Sequence, residues 1–368
     1  MTTCRFHSIT IVLICLFAFT DIHAGEHPGG MHPAAQLQYV KAQIKKGKEP
    51  YVTAYKALLV KADSALLKEQ HALADFSVPG YYIKPLEHRK NSLAIQADGF
   101  AAYACALAWQ LSGQKKYAEK ALYFLNAWAS LNTTYSDHDG PLVLSYSGTS
   151  MVMAAELMRS YKNWNKEARI NMDLWIKDVY RKASNEIRER KNNWADWGRF
   201  GSLLADAYLE DTADFAINVK LIKADLFDKI DADGHMPEEV RREANGIWYT
   251  YFSLAPLTAA CWVTYNTTGE NLFALQQDGK SIKKALDYLL YYDLHPAEWS
   301  WFKNPNVAKA GTATGFWPPN LFEAMYGIYG DDSYRKFYEP YQPLMYDVHH
   351  FAWSFSTLMP VRLKSEYK

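Results

Sequence analysis

The feature that most restricts the fold is a helical period of apolar residues that begins near Gln36 and recurs along the chain, punctuated by glycine corners. In residues 99–131, GFAAYACALAWQLSGQKKYAEKALYFLNAWASL, an alanine-rich apolar run stops at Gly113 and a second, amphipathic run follows. Glycine takes the left-handed conformation that ends a helix at little cost, so the pattern predicts helix, corner, helix. The same punctuation returns: the spacing of Trp109, Gly113 and Tyr117 recurs in Tyr265, Gly269 and Phe273, and again in Tyr326, Gly330 and Tyr334. An aromatic on each side of the glycine suits stacked antiparallel helix pairs. Strand-like alternation is scarce. The expected fold is all-α, an incomplete (α/α) toroid or barrel of antiparallel helix pairs, as one domain over residues 25–368. Loops rich in Gly, Pro, Asp and Asn are expected at 74–92, 133–150, 231–246 and 294–320. They hold much of the charge, histidine and tryptophan, which places function on one rim of the helical scaffold.

Residues 1–24 read as a secretory signal: Arg5 supplies the positive start, Ile9 to Phe19 the short apolar run, and Ala24 the small residue before a cut. An exported protein, secreted or periplasmic, is therefore expected. No later stretch is long and apolar enough for a membrane helix, so no membrane insertion is expected. Cys105 and Cys261 remain after cleavage, each in a helical segment, and suit unpaired core positions; a disulfide between them stays open. Forty basic and forty acidic residues balance, which speaks against nucleic acid as a partner, while a locally basic cleft can still take a polyanion. HExxH, paired CxxC, Walker and GxGxxG motifs are all missing, so no metal and no cofactor is expected. SYSGTS, around Gly148, lacks the order of a nucleophile elbow; it suits a helix cap, with Tyr146 able to face a cleft.

Two stretches carry chemistry. In KNNWADWGRFGSLLADAY, Asn192 or Asn193 can cap a helix whose inward stripe is Trp194, Trp197, Gly201, Leu204 and Tyr208. Gly198 and Gly201 each weaken that helix by about 1 kcal/mol relative to Ala, so something approaches its backbone closely, a neighbouring helix or a ligand. An asparagine amide at a positive helix end also suits a carboxylate. In GHMPEEVRREANGIWYTYF, residues 234–252, Asn245 can cap a helix from Gly246, and Tyr249 falls on a different face from the stripe of Ile247, Tyr251 and Leu254. Were the backbone continuously helical, Arg242 and Tyr249 would lie about 10 Å apart at their Cα atoms and could grip one ligand.

These motifs resemble the alginate lyase superfamily, and most closely polysaccharide lyase families five and thirty-eight. The likeness rests on the Asn-Asn pair followed by Trp197 and on the Gly-x-Met-Pro-x-Glu-Val-x-Arg segment leading into a Tyr-rich helix. The stretch from His27 to Leu58 is also similar to the opening of many members. The resemblance implies an (α/α) toroid and metal-independent β-elimination on a uronate polysaccharide. It implies that Asn193 and Arg242 neutralise the uronate carboxylate and that Tyr249 is the catalytic tyrosine. Family five has a histidine directly after the Asn pair, where this chain has Trp194.

Removal of the proton α to the carboxylate requires that the charge developing there be stabilised, which is electrostatic work suited to Asn193 and Arg242. Tyr249, with an ordinary pKa near ~10, needs cations such as Arg242 or Arg241 to favour its phenolate. The same phenol can return the proton to the departing O4. One group acting as both base and acid suits syn elimination, hence β-linked mannuronate or glucuronate. Lys84, His88, Arg89 and Lys90 form a basic run able to bind neighbouring carboxylates. Trp194, Trp197 and Trp248 suit either pyranose stacking or a core. His235 or His350 is a candidate for the missing histidine. A non-catalytic uronan-binding protein and a glycoside hydrolase stay open as alternatives, the latter drawing on Asp196, Glu238, Glu239 and Glu243.

Overall fold

A computed structural model describes residues 27–307, 317–363 and 366–367; the expected signal at 1–24 lies outside the described residues. In chain order the helices are α1 Ala34–Lys45, α2 Tyr51–Leu66, α3 Pro85–Ser112, α4 Lys115–Leu131, α5 Gly140–Ser147, α6 Thr149–Met158, α7 Lys166–Trp175 and α8 Arg181–Ile187. They continue with α9 Asn193–Leu209, α10 Thr212–Lys229, α11 Pro237–Val240, α12 Gly246–Thr268, α13 Ile282–Leu294, α14 Pro319–Tyr329 and α15 Asp332–Tyr338. None of these is long and apolar enough to cross a membrane.

The expected corners form where glycine permits them. Gly113, Gly269 and Gly330 have φ of 73°, 78° and 61°, and each donates its N–H to the carbonyl four residues back, closing the helix end. Gly113 and Gly330 lead directly into a returning helix. Gly269 does not: Asn271 caps a short 3-10 turn at Leu272–Ala274, and the hairpin of β3 (Gln276–Gln277) and β4 (Lys280–Ser281) precedes α13.

The helices α3, α6, α9 and α12 pack in that order as an inner layer, with α4 outside α3 and α6, α8 and α10 outside α9, and α13 outside α12. This is the incomplete (α/α) toroid. The gap between α12 and α3 is filled by irregular chain near the C-terminus. Phe355 stacks on Phe100 at 5.7 Å and meets Tyr103 edge-on at 5.0 Å, while Trp353 Nε1 donates to Thr258 Oγ1 at 3.0 Å. The α9 glycines are explained by a neighbouring helix rather than by a ligand. A Cβ on Gly198 would lie 2.6 Å from the Ser184 carbonyl oxygen of α8, and one on Gly201 would lie 2.5 Å from Ser184 Oγ. Cys105 and Cys261 are separate, buried free thiols, so the open disulfide is not formed.

Two of the expected loops are shorter than the sequence suggests. Pro85, whose missing N–H costs nothing in a first turn, starts α3, so the basic run to Lys90 is helical rather than a loop. Residues 140–147 form α5 before the expected helix at Thr149. Between these helices, β1 (Asp75–Ser77) pairs in parallel with β2 (Thr134–Ser136), joining two rim segments.

Candidate active site

A cleft of about 710 Å³ opens on the rim, walled by residues 80–83, the first turns of α3, the segment from His138 to Tyr146, the start of α9 and the segment from Arg242 to Phe252. At the base, Asn192 caps α9 by accepting from the Trp194 N–H at 3.3 Å. Asn193, the first helical residue, is buried and lines the cleft. The amide does meet a carboxylate, as the positive helix end favours, but it is one from this chain. Asn193 N and Nδ2 each donate to the Glu239 carboxylate at 2.7 Å, and Asn193 Oδ1 is buried without a partner among the described residues. Burial pushes the Glu239 carboxyl up to about 7, against the pull of the Asn193 bonds.

Glu239 belongs to α11, and its carbonyl accepts the Arg242 N–H at 3.0 Å. The backbone from Arg242 to Tyr249 is not one helix, because a 3-10 turn at Glu243–Asn245 intervenes. The Asn245 side chain does not cap α12; its Oδ1 accepts from Asn306 Nδ2 at 2.9 Å. The turn brings Arg242 back over α12, with its guanidinium carbon 4.3 Å from the Tyr249 ring centre. Arg242 Nη2 donates to the Tyr82 hydroxyl at 2.8 Å, and the Tyr82 and Tyr249 hydroxyls are 2.7 Å apart. Arg242, Tyr82 and Tyr249 therefore form one polar chain across the cleft. Burial, helped by the Tyr82 bond, pushes the Tyr249 phenol above its ordinary range, and Arg242 opposes this without reversing it. The cation beside Tyr249 thus offsets a desolvation cost rather than yielding a low pKa.

The other expected residues divide. Trp194 lines the cleft half-buried, with the Arg190 guanidinium 4.0 Å above its ring and His138 edge-on at 5.5 Å. Trp248 lines it too, stacked on Phe252 at 5.5 Å, as does Tyr146, stacked on His349 at 4.6 Å. Arg89 lines it and donates to the Tyr81 hydroxyl at 2.7 Å. Trp197 does not reach the cleft: it is fully buried against Tyr146 and Phe252, as its helical spacing also allowed. Arg241 turns outward and pairs with Glu238, Lys84 pairs with Glu87 at 3.2 Å, and Lys90 is exposed outside the cleft.

Neither candidate histidine takes the missing place. His235 is held by Asp233 at 2.6 Å beside Trp301, away from the cleft. His350 is wholly buried among Trp197, Tyr251 and Tyr346, and burial keeps it neutral.

Three other histidines, His88, His138 and His349, line the cleft. His138 Nδ1 meets Asp139 at 2.6 Å and His88 Nδ1 meets it at 3.2 Å, while Asp139 also accepts the Tyr81 N–H at 2.8 Å. Burial pushes Asp139 up, but these partners outweigh it and hold the carboxyl below its ordinary range. Burial lowers His349 to about 4, leaving it neutral. Sequence reasoning missed Tyr82, His138, Asp139, Arg190 and His349. The available signals were the Tyr-Tyr pair after Pro79-Gly80 and the Asp-His-Asp-Gly run at 137–140.

The charge of the lining is one-sided. Arg89, Arg190 and Arg242 face the cleft, and Asp139 is the one carboxylate among its described lining residues. Asp196 is buried against Lys229 and Ser253, Glu238 pairs with Arg241, Glu239 holds Asn193, and Glu243 is not part of the lining. The two carboxylates across a cleft that glycoside hydrolysis requires are therefore missing from the described lining. Among the described residues no cluster of three or more His, Cys, Asp or Glu side chains has metal-site geometry.

The family model for alginate lyase matches residues 37–299. No curated protein sequence matches the chain. Among solved structures, an alginate lyase from Bacteroides ovatus superposes with a TM-score of 0.71 at 21% identity, over 88% of this chain and 98% of that one. The alginate lyase A1-III from Sphingomonas species A1 superposes with a TM-score of 0.69 at 15% identity, over 91% and 99%. A tetrasaccharide complex of A1-III gives 0.71 at 15% identity, over 91% and 99%. The matched stretch includes the cleft lining from Gly80 to Phe252, all of the described lining but His349, and the chain belongs to the alginate lyase family.

Proposed function

We propose that this polysaccharide lyase cleaves a β-linked polyuronate, polymannuronate-type alginate or glucuronan, by β-elimination at Tyr249, and that it does so after export, with residues 1–24 removed. The observation that carries the reading is the Arg242–Tyr82–Tyr249 chain beside the buried Asn193 amide. In this reading Arg242 stabilises charge on the C5 carboxylate as the adjacent proton leaves, and Asn193 joins it when its Nδ2 is free of Glu239. The Tyr249 phenolate takes that proton, the C5 electrons form the C4–C5 double bond, and O4 departs with the proton returned by the same phenol. Taking and returning the proton on one face suits mannuronate or glucuronate. The Tyr82 hydroxyl bonds the Tyr249 oxygen, so the sugar shares or displaces that bond. Trp194 and Trp248 offer ring faces to neighbouring pyranoses, and Arg89 and Arg190 offer guanidinium groups to their carboxylates.

The test is ultraviolet absorbance of the 4,5-unsaturated product, with polymannuronate, polyguluronate and glucuronan supplied in the presence of chelator. Product is expected from polymannuronate or glucuronan, and Tyr249→Phe is expected to lower kcat by at least ~10²-fold with the fold unchanged. Full activity in Tyr249→Phe overturns the assignment of the base. Tight uronan binding with no product at any pH would make the chain a binding protein on a lyase scaffold.

A further inference from the structure

Asn193 is held in a way that ill suits its expected partner. Its backbone N–H and its Nδ2 are both drawn to Glu239, so the group left without a partner is the carbonyl oxygen Oδ1. A carbonyl oxygen repels a uronate carboxylate; the amide N–H groups would attract it. The two edges of the amide exchange by a half-turn about its terminal bond, and the bond partner decides which edge is turned inward. An ionised Glu239 can only accept, so it draws in Nδ2. A protonated Glu239 keeps one oxygen for the Asn193 backbone N–H and has an O–H to donate to Oδ1, which releases Nδ2 towards the cleft.

We infer that Glu239 is a positioning residue whose proton selects the edge of the Asn193 amide that the substrate meets: neutral Glu239 presents the donor, ionised Glu239 withdraws it. This rests on the lyase reading of the same cleft. The surroundings favour a proton that comes and goes. Glu239 is 1% exposed, and burial pushes its carboxyl up to about 7. The titratable groups facing it are Asp196 on α9 and Lys229 at the end of α10, which pair with each other, together with Arg242 on the following turn and Tyr249 on α12. Asp196 raises the Glu239 carboxyl and Lys229 lowers it, so their pairing leaves burial dominant. The Glu239 main-chain carbonyl accepts the Arg242 N–H at 3.0 Å, so Glu239 anchors Asn193 through its side chain and Arg242 through its backbone.

Glutamine separates the two states. In Glu239→Gln, the side-chain oxygen accepts the Asn193 N–H while its Nε2 donates to Oδ1, so the variant imitates neutral Glu239 at every pH. The measurement is calorimetric affinity for a mannuronate tetramer from about pH 5.5 to about pH 8.5 in the Tyr249→Phe background, which removes turnover and the Tyr249 titration. With Glu239 present, affinity is expected to fall ~10-fold as pH rises through its titration, the cost of one charge-assisted hydrogen bond. With Glu239→Gln the profile is expected to be flat at the acid-side affinity, and with Glu239→Ala flat and weak. A falling profile that persists in Glu239→Gln, or a Glu239→Gln affinity as weak as that of Glu239→Ala, overturns the proposal. If wild-type protein forms unsaturated product while the three binding profiles coincide, the positioning role fails and the lyase reading stands. If neither this tetramer nor a glucuronate tetramer binds any of the proteins, both fail.

Discussion

Gly198 offers the most direct check on how α9 is held. A Cβ there would sit 2.6 Å from Ser184 O, 2.8 Å from Arg188 N and 2.8 Å from Ile187 Cγ1. Two of those atoms are backbone, of α8 and of the residue that ends it, and cannot rotate aside, so Gly198→Ala has to push the helices apart. Forcing a methyl into a packed contact costs about 1–3 kcal/mol, here about 2–3 kcal/mol because two of the contacts are backbone, and replacing glycine with alanine inside a helix returns about 1 kcal/mol. The expected net loss is about 1–2 kcal/mol, or a fall of ~1–3 °C in Tm for a chain of this size. Asn193 lies at the start of the same helix, so separation from α8 is also expected to raise KM for uronan.

Gly201→Ala is the matched control. Its nearest atoms are Ser184 Oγ at 2.5 Å and the Tyr180 hydroxyl at 2.8 Å, both ends of side chains that can yield. Thermal unfolding followed by circular dichroism at one pH should therefore rank wild type above Gly201→Ala and Gly201→Ala above Gly198→Ala. If Gly198→Ala melts with the wild type, or Gly201→Ala is the weaker of the two, α8 does not approach α9 as described.

Arg190→Ala removes the cation from the Trp194 face and one of three guanidinium groups from the lining. Uronan affinity by titration calorimetry is expected to drop by about 0.5–2 kcal/mol, with a shallower dependence on salt. The half-buried Asp293 has an oxygen without a partner among the described residues, and burial raises its carboxyl to about 7. The unfolded chain ionises this group first, so its cost grows as pH rises from about 4 to about 7 and is fully present above that. Asp293→Asn should then stabilise the protein by about 1–2 kcal/mol at pH ~8 and leave it unchanged at pH ~4, by denaturant unfolding.

The parts of this structure legible in the sequence are those fixed by local physics. Gly113 and Gly330 turn helices back because only a residue without Cβ enters the left-handed region cheaply, and that requirement is visible in one dimension. Asn193, Arg242 and Tyr249 were legible as a group because their spacing and neighbours carry a family resemblance, and the fold brings all three to one cleft. What escaped were relations between distant segments. Nothing within GYYIK tells that Tyr82 reaches Tyr249, 167 residues on, or within SDHDG that His138 comes to rest against Trp194. Trp197 and His350 misled for the converse reason: an aromatic or histidine in a polar-looking stretch carries no label saying which side of the wall it faces. Glu239 looked like a candidate acid from composition, and its carboxylate is instead consumed by the neighbouring amide.

The short parallel pairing of Asp75–Ser77 with Thr134–Ser136 reaches further than its size suggests. It lies just upstream of both Tyr82 and His138, and Asp139 ties the two segments a second time through the Tyr81 N–H. Two of the segments that wall the cleft, the one leading to Tyr82 and the one leading to His138, are therefore tied directly to each other. Shortening or lengthening either segment would re-aim residues on both, so grafting specificity from a relative would have to transplant 74–84 and 133–139 as a matched set.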